Sequence, residues 1–223
     1  MTARLVINSC AAAVGAGNAC AVVIEDIEIN RDSCFVPLLT HNLNEVASRL
    51  GDLAANPVYQ GFARQMQEMG YPTTTAANEK LLRSFIAKGV RSINNVVDAY
   101  NAIAIRHGVS IGVHTYEQAE DIHVFRAQAP MKFRPLFAKK DAAVPVGDLV
   151  YTCADDLLAC IGKTDADAHD YRLTESSRRV VAVVLGHRDT SADFNQKVLE
   201  ELVDALREAM PGLRHHFLQR TAA

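Results

Sequence analysis

The chain has 223 residues, 49% hydrophobic and 22% charged, with 12 Gly and 7 Pro. That composition excludes a disordered, collagenous or coiled-coil chain and suits one large domain or two small ones. The formal charge of −3 argues against tight nucleic-acid binding through phosphates. No apolar run approaches the roughly 20 residues of a membrane-spanning helix.

The five cysteines (10, 20, 34, 153 and 160) are odd in number and form no CxxC pair. A disulfide framework or zinc finger is not expected, and the reducing cytoplasm is the expected compartment. The first twenty residues carry only Arg4 as a basic group and do not read as a signal peptide.

Arg4–Asn8 and Ala19–Ile29 read as strands, and Gly15-Ala16-Gly17-Asn18 between them reads as a hairpin turn. Leu43–Leu53 has helical apolar spacing with His41 or Asn42 as a cap. Pro57–Met69 predicts a helix opened by Pro57 and closed by Gly70. Ala76–Lys88 predicts a third, ended by Gly89, and Asn94 or Asn95 caps a fourth running to about His107. Past Gly108 the texture changes to short strands: Ser110–Tyr116, Ile122–Ala127, Leu149–Cys153, Leu158–Ile161 and Val180–Leu185. Thr190 or Ser191 caps a last amphipathic helix to Met210, and the final ten residues read as a fraying tail. One α+β domain spanning 1–223 is the natural organisation, with a mixed or antiparallel sheet flanked by helices.

Charge is uneven along the chain. Between residues 57 and 112, Arg64, Lys80, Arg83, Lys88, Arg91 and Arg106 face only Glu68, Glu79 and Asp98, a net +3. No HExxH or HxxxH occurs, and no GxSxG lies on a strand-to-helix elbow, so neither a metal nor a nucleophilic serine is expected. Cys153 and Cys160 fall in predicted strands, where a buried, inert thiol is the common case.

Two clusters remain. Asn94, Asp98, Asn101 and Ile105 share one stripe of the fourth helix. Capping and the helix dipole account for Asn94 and Asp98 but not for Asn101, a poor helix former in mid-helix. An amide aimed into a cleft is the functional alternative. The run Gly162–Arg172 is rich in acidic residues and reads first as a solvated loop. It would otherwise wall a pocket, with Lys163 as an anion contact and His169 as acid or base.

The segment Arg91-Ser92-Ile93-Asn94-Asn95-Val96-Val97-Asp98-Ala99-Tyr100-Asn101 resembles the signature of the tRNA-editing domain of the bacterial phenylalanyl-tRNA synthetase beta subunit. Met69–Pro72, Asn78–Arg83, His107–Gly112, Gly147–Tyr151 and Leu173–Arg178 supply further landmarks in the same order, so the resemblance covers roughly residues 45–187. The chain looks like one of the freestanding relatives of that module.

The resemblance implies the editing-domain fold and hydrolysis, in trans, of the ester linking a wrong amino acid to tRNA. It implies tRNA as a transient partner through its 3′ acceptor end, an aminoacyl-tRNA synthetase as a further partner, and no metal or cofactor. It places catalysis on Asn101, Gly112 and His114, and substrate contacts on Asn94, Tyr100, Lys163, Thr164, His169 and Val183. tRNA contacts fall on Arg83, Lys88 and Arg91. The chain departs from the synthetases in four places. Gly112 stands where they carry a pocket His, and Thr115 where an Asp is usual. Val183 stands where a Glu reads the tyrosine hydroxyl, and the Lys163–Arg172 loop replaces a Gly-rich wall. A pocket without that Glu loses the hydrogen bond separating Tyr from Phe, so an amino acid other than tyrosine is the expected target. A non-catalytic module binding tRNA or a free amino acid on the same fold is the alternative.

Overall fold

A computed structural model describes residues 3–49, 51 and 55–223. Two sheets share one hydrophobic core. The larger contains β1 (Arg4–Ile7), β4 (Ile122–Arg126), β7 (Leu149–Cys153), β8 (Asp156–Ile161), β9 (Ala166–Asp167) and β12 (Gln219–Ala222), ordered β12-β1-β4-β7-β8-β9. Its β12–β1 and β1–β4 pairs are parallel and the others antiparallel. The smaller is antiparallel: β11 (Arg214–Phe217), β2 (Cys20–Glu25), β10 (Arg179–Val184) and β3 (Gly112–Thr115), in that order. A separate hairpin joins β5 (Met131–Phe133) to β6 (Ala142–Val144). β2 and β10 are continuous Val/Ile runs because their sheet is covered on both faces.

Six helices are described: α1 (Ser9–Ala13), α2 (Val36–Ala47), α3 (Pro57–Glu68), α4 (Ala77–Lys88), α5 (Asn95–His107) and α6 (Ala192–Ala209). α5 is the central one. It packs against α2, α4 and α6, and ten of its thirteen residues are buried. Its entry is built by the signature residues. Asn94 Oδ1 accepts from Val97 N–H at 2.8 Å, and Asp98 accepts from Ile93 N–H at 3.0 Å and from the Ser92 hydroxyl. Asn95 bonds the backbone of Glu28 and Asn30, tying the β2–α2 connection to the helix. Gly108, at φ 69°, ends α5, and a Cβ there would lie 2.7 Å from the Tyr59 ring.

Four expectations from sequence are corrected. The Gly15–Asn18 segment is no hairpin turn: α1 and a 3-10 turn at Ala16–Asn18 carry the chain from one sheet to the other. Gly15 is required there because a Cβ would meet Arg188 N at 2.6 Å. The second strand stops at Glu25, and Asp26 turns at φ 59°. The helix expected at Leu43–Leu53 begins seven residues earlier, with Pro37 in its first turn; residues 50, 52 and 53 of that expectation lie outside the described residues. The fraying tail is instead β11 and β12, paired with β2 and β1. These are edge strands, and Arg214-His215-His216 has no apolar alternation to announce one.

Candidate functional site

A cavity of about 230 Å³ opens between the two sheets and α3, α4 and α5. Most of its wall is apolar: Phe62 and Met66 from α3, Leu81 from α4, Ala104 from α5, and Val183 and Leu185 at the end of β10. Into it look Asn101, Tyr151, Asp165 and Asp167.

Asn101 is 6% exposed and its amide makes no hydrogen bond to the described residues. The amide atoms are not among the buried, unpartnered polar atoms of the described residues; they border the cavity. Gly112 pairs with Val183 across β3 and β10, and both line the cavity. A Cβ at Gly112 would lie 2.1 Å from the Tyr151 hydroxyl. The space a side chain would take is therefore filled by that hydroxyl, which bonds His114 Nε2 at 2.6 Å. His114 is on the same face of β3 as Gly112, as the period of two requires, and it is fully buried. Burial pushes its pKa down to about 3, so the ring is neutral. It sits behind Tyr151 and does not itself line the cavity.

The acidic loop does wall the cavity, but through residues not singled out from sequence. Asp165, which turns at φ 49°, and Asp167 on β9 both border the cavity. Burial, then the nearby Asp165, pushes the Asp167 carboxyl up to about 7. Its side chain is 38% exposed, and it borders the cavity. Asp165 is raised by burial and held in check by Lys80 Nζ at 2.8 Å.

The other expected site residues lie elsewhere. Asn94 is the α5 cap. Tyr100 packs on the core, partly buried, away from the cavity lining. Lys163 is exposed, its backbone bonding Asp148; Thr164 reaches Ala143 O at 3.4 Å. His169 bonds Asp170 and Arg172. At the cavity wall, Lys80 from α4 pairs with Asp165. Cys160 lines the cavity, but burial pushes its thiol up to about 11, which keeps it protonated and unreactive.

The +3 segment is not a free basic face. Arg64 pairs with Asp189, Lys80 with Asp165, Arg83 with Glu79 and Arg106 with Glu201. Three of those acids lie outside the segment. Lys88 and Arg91 are exposed and make no ion pair among the described residues.

His114 and Asp167 (Nε2 to Oδ1, 3.9 Å) have opposite effects on acid stability. A His held near 3 when folded and near 6.5 when unfolded contributes stability above 6.5 that is lost as pH falls toward 3. An Asp held near 7 when folded and 3.8 when unfolded contributes below 3.8 and loses it as pH rises toward 7. The second effect is weakened by the water that reaches the half-open carboxyl. Asp167→Asn removes only the offsetting half. Thermal melts from pH 6.5 to 4 should therefore fall more steeply for the variant than for the parent; parallel curves would contradict this pairing.

Fold and cavity define an α+β domain with a carboxylate-bearing pocket opening between two sheets and a central helix. The chain belongs to the B3/4 domain family, whose model matches residues 66–207, a family related to the phenylalanyl-tRNA synthetase beta subunit. Its fold is similar to that of an N-terminal fragment of the phenylalanyl-tRNA synthetase beta subunit from Pyrococcus horikoshii, with a TM-score of 0.56 and 11% identity. That similarity covers 100% of this chain and 52% of the fragment, so the chain spans about half the length of the neighbour. No curated protein matches. Among the described residues no helix is long and apolar enough to cross a membrane, and no group of three His, Cys, Asp or Glu is placed to hold a metal ion.

Proposed function

We propose that the chain is an aminoacyl-tRNA deacylase acting in trans, which lodges the amino-acid moiety of a mischarged tRNA in the cavity and hydrolyses its ester. The observation that carries the reading is the unpaired Asn101 amide sharing a half-open, largely apolar cavity with a carboxyl poised near neutrality. The volume fits: roughly 150 Å³ of apolar space already accepts a benzene, so about 230 Å³ takes an amino-acid side chain.

The chemistry follows from the groups. Ionised Asp167 takes a proton from water as its oxygen attacks the ester carbonyl carbon. The Asn101 amide N–H donates to the oxygen that becomes negative. As the carbon–ribose oxygen bond breaks, the proton on Asp167 passes to the departing ribose oxygen. Tyr151, fixed by neutral His114, shapes the wall beside Gly112. Val183 presents no carboxylate to a phenolic hydroxyl, so tyrosine is not the preferred cargo.

A panel of mischarged tRNAs at low salt tests this. One species should be hydrolysed, tyrosyl-tRNA should not, and correctly charged controls should survive. Asn101→Ala should slow the reaction at least tenfold; survival within about threefold, roughly 0.6 kcal/mol of barrier, would mean the site is misplaced. The paired state of four of the six cations in segment 57–112 favours a second reading, a pocket for a free amino acid. Calorimetric binding of a free amino acid with no deacylation across the panel would select it.

A further inference from the structure

The tip of the β5–β6 hairpin breaks two rules at once. Ala138 N–H donates to Pro135 C=O at 2.9 Å, closing a turn whose third residue is Phe137. Phe137 has φ 63°, the left-handed region where glycine is favoured and a bulky side chain is strained. Its ring is 83% exposed, so burial returns nothing for that strain. Among the described residues Ile86, Ile93 and Val146 are the other exposed large apolar ones, and none offers an aromatic face.

The tip is also cationic. Residues 130–141 carry Lys132, Arg134, Lys139 and Lys140 against Asp141 alone. Arg134 pairs with Asp170. Lys132, Lys139 and Lys140 are exposed and make no ion pair among the described residues. This is the free positive charge that segment 57–112 largely lacks.

Finally, the tip is tied to the cavity wall. Leu136 N–H donates to Asp167 C=O at 2.8 Å, and His169 N–H donates to Arg134 C=O at 2.8 Å. Pro135 and Ala168 form a bridge between them. The residue preceding Phe137 is thus bonded to the backbone of the residue whose carboxyl lines the cavity.

We propose that this hairpin tip is a stacking platform for an unpaired nucleotide at the 3′ end of an RNA, with Phe137 under the base and Lys139 and Lys140 on the neighbouring phosphates. An exposed aromatic ring interleaved with lysines is the chemistry that holds single-stranded nucleic acid without reading its sequence. The inference rests on the reading of tRNA as partner, and it assigns the contact to a hairpin rather than to Arg83, Lys88 and Arg91. A base stacked on Phe137 would lie beside the wall formed by Asp165–Asp167.

The chain has no tryptophan, so Phe137→Trp makes a single-tryptophan reporter at the tip. Its emission should be quenched by tRNA with an intact 3′ end and much less by the same tRNA lacking its terminal unpaired nucleotides. Phe137→Ala should weaken tRNA binding about tenfold. Phe137→Gly, which suits the backbone better, should weaken it equally without lowering the melting temperature. Lys139→Glu with Lys140→Glu should reduce the salt dependence of binding by about two phosphate contacts. Unquenched emission with undiminished tRNA affinity of Phe137→Ala would overturn the platform and leave the deacylase reading standing. Absence of tRNA binding by the parent protein would overturn both. A response of the reporter to anionic phospholipid vesicles but not to tRNA would overturn the platform and make the tip a membrane contact.

Discussion

Asp167→Asn is expected to lower the rate of ester hydrolysis by two to four orders of magnitude, the usual worth of a positioned general base. The amide is nearly isosteric, so the cavity and its volume are retained while the proton acceptor is lost. The pH profile makes the test specific. Burial and the neighbouring Asp165 hold the Asp167 carboxyl near 7, and only its ionised form accepts a proton. The parent rate should therefore climb with pH through about 7 and then level, after subtraction of spontaneous hydrolysis. The residual rate of the variant should show no such step. Single-turnover deacylation between pH 5.5 and 8.5 reads both. A variant within threefold of the parent, or a parent profile without the step, would remove Asp167 from the mechanism.

Gly61→Ala is expected to destabilise the protein, against the sign that helix propensity predicts. Alanine within α3 would gain about 1 kcal/mol over glycine. Here, however, a Cβ would stand 2.0 Å from Cε1 and 2.2 Å from Nδ1 of His187. The ring has nowhere to go. His187 is 1% exposed, meets Phe62 edge-on at 4.8 Å, and receives Asp189 N–H on Nδ1 at 3.2 Å. Its backbone is clamped in both directions by the Thr190 hydroxyl. Overpacking of a core typically costs about 1–3 kcal/mol, and a clash this deep lies at the upper end. The net loss should be about 1–2 kcal/mol, a fall in melting temperature of roughly 3–8 °C. His187→Ala in the Gly61→Ala background should recover part of it, because the two changes share one space. A rise in melting temperature for Gly61→Ala would refute the packing argument.

Where the chain states its own stops and starts, sequence reading came close to the structure. Pro57, Gly89, Asn94, Gly108 and Ser191 bound α3 to α6 within a residue or two of expectation, because capping is local chemistry. Partners distant in sequence were not legible. β1 and β2 look like a hairpin until the sheets are seen, since nothing near Gly15 reveals the backbone of Arg188 behind it. The site divides the same way. Asn101 stood out on its helix, Gly112 and Val183 came from the family resemblance, and all three line the cavity. Asp165 and Asp167 sit in a stretch whose composition is that of a solvated loop. Asp165 is covered by Lys80, which arrives from α4, and Asp167 is held at the cavity edge by pairing with β8. Counting charge along residues 57–112 failed for the same reason, because the neutralising acids include Asp189 and Glu201.

The seating of β2 has a consequence for how the protein is made. Its two neighbours, β10 and β11, come from residues 179–184 and 214–217. At ribosomal speeds of about 5–20 residues per second, the segment Cys20–Glu25 waits on the order of 10–30 s for its first partner. Throughout that interval the run Ala21-Val22-Val23-Ile24, wholly buried in the finished fold, is an unpaired strand carrying no charge until Glu25. Such a segment is what chaperones that hold nascent chains are suited to cover. The strand laid down second is among the last to be closed, and the yield of folded protein should depend on how well those first seconds are guarded.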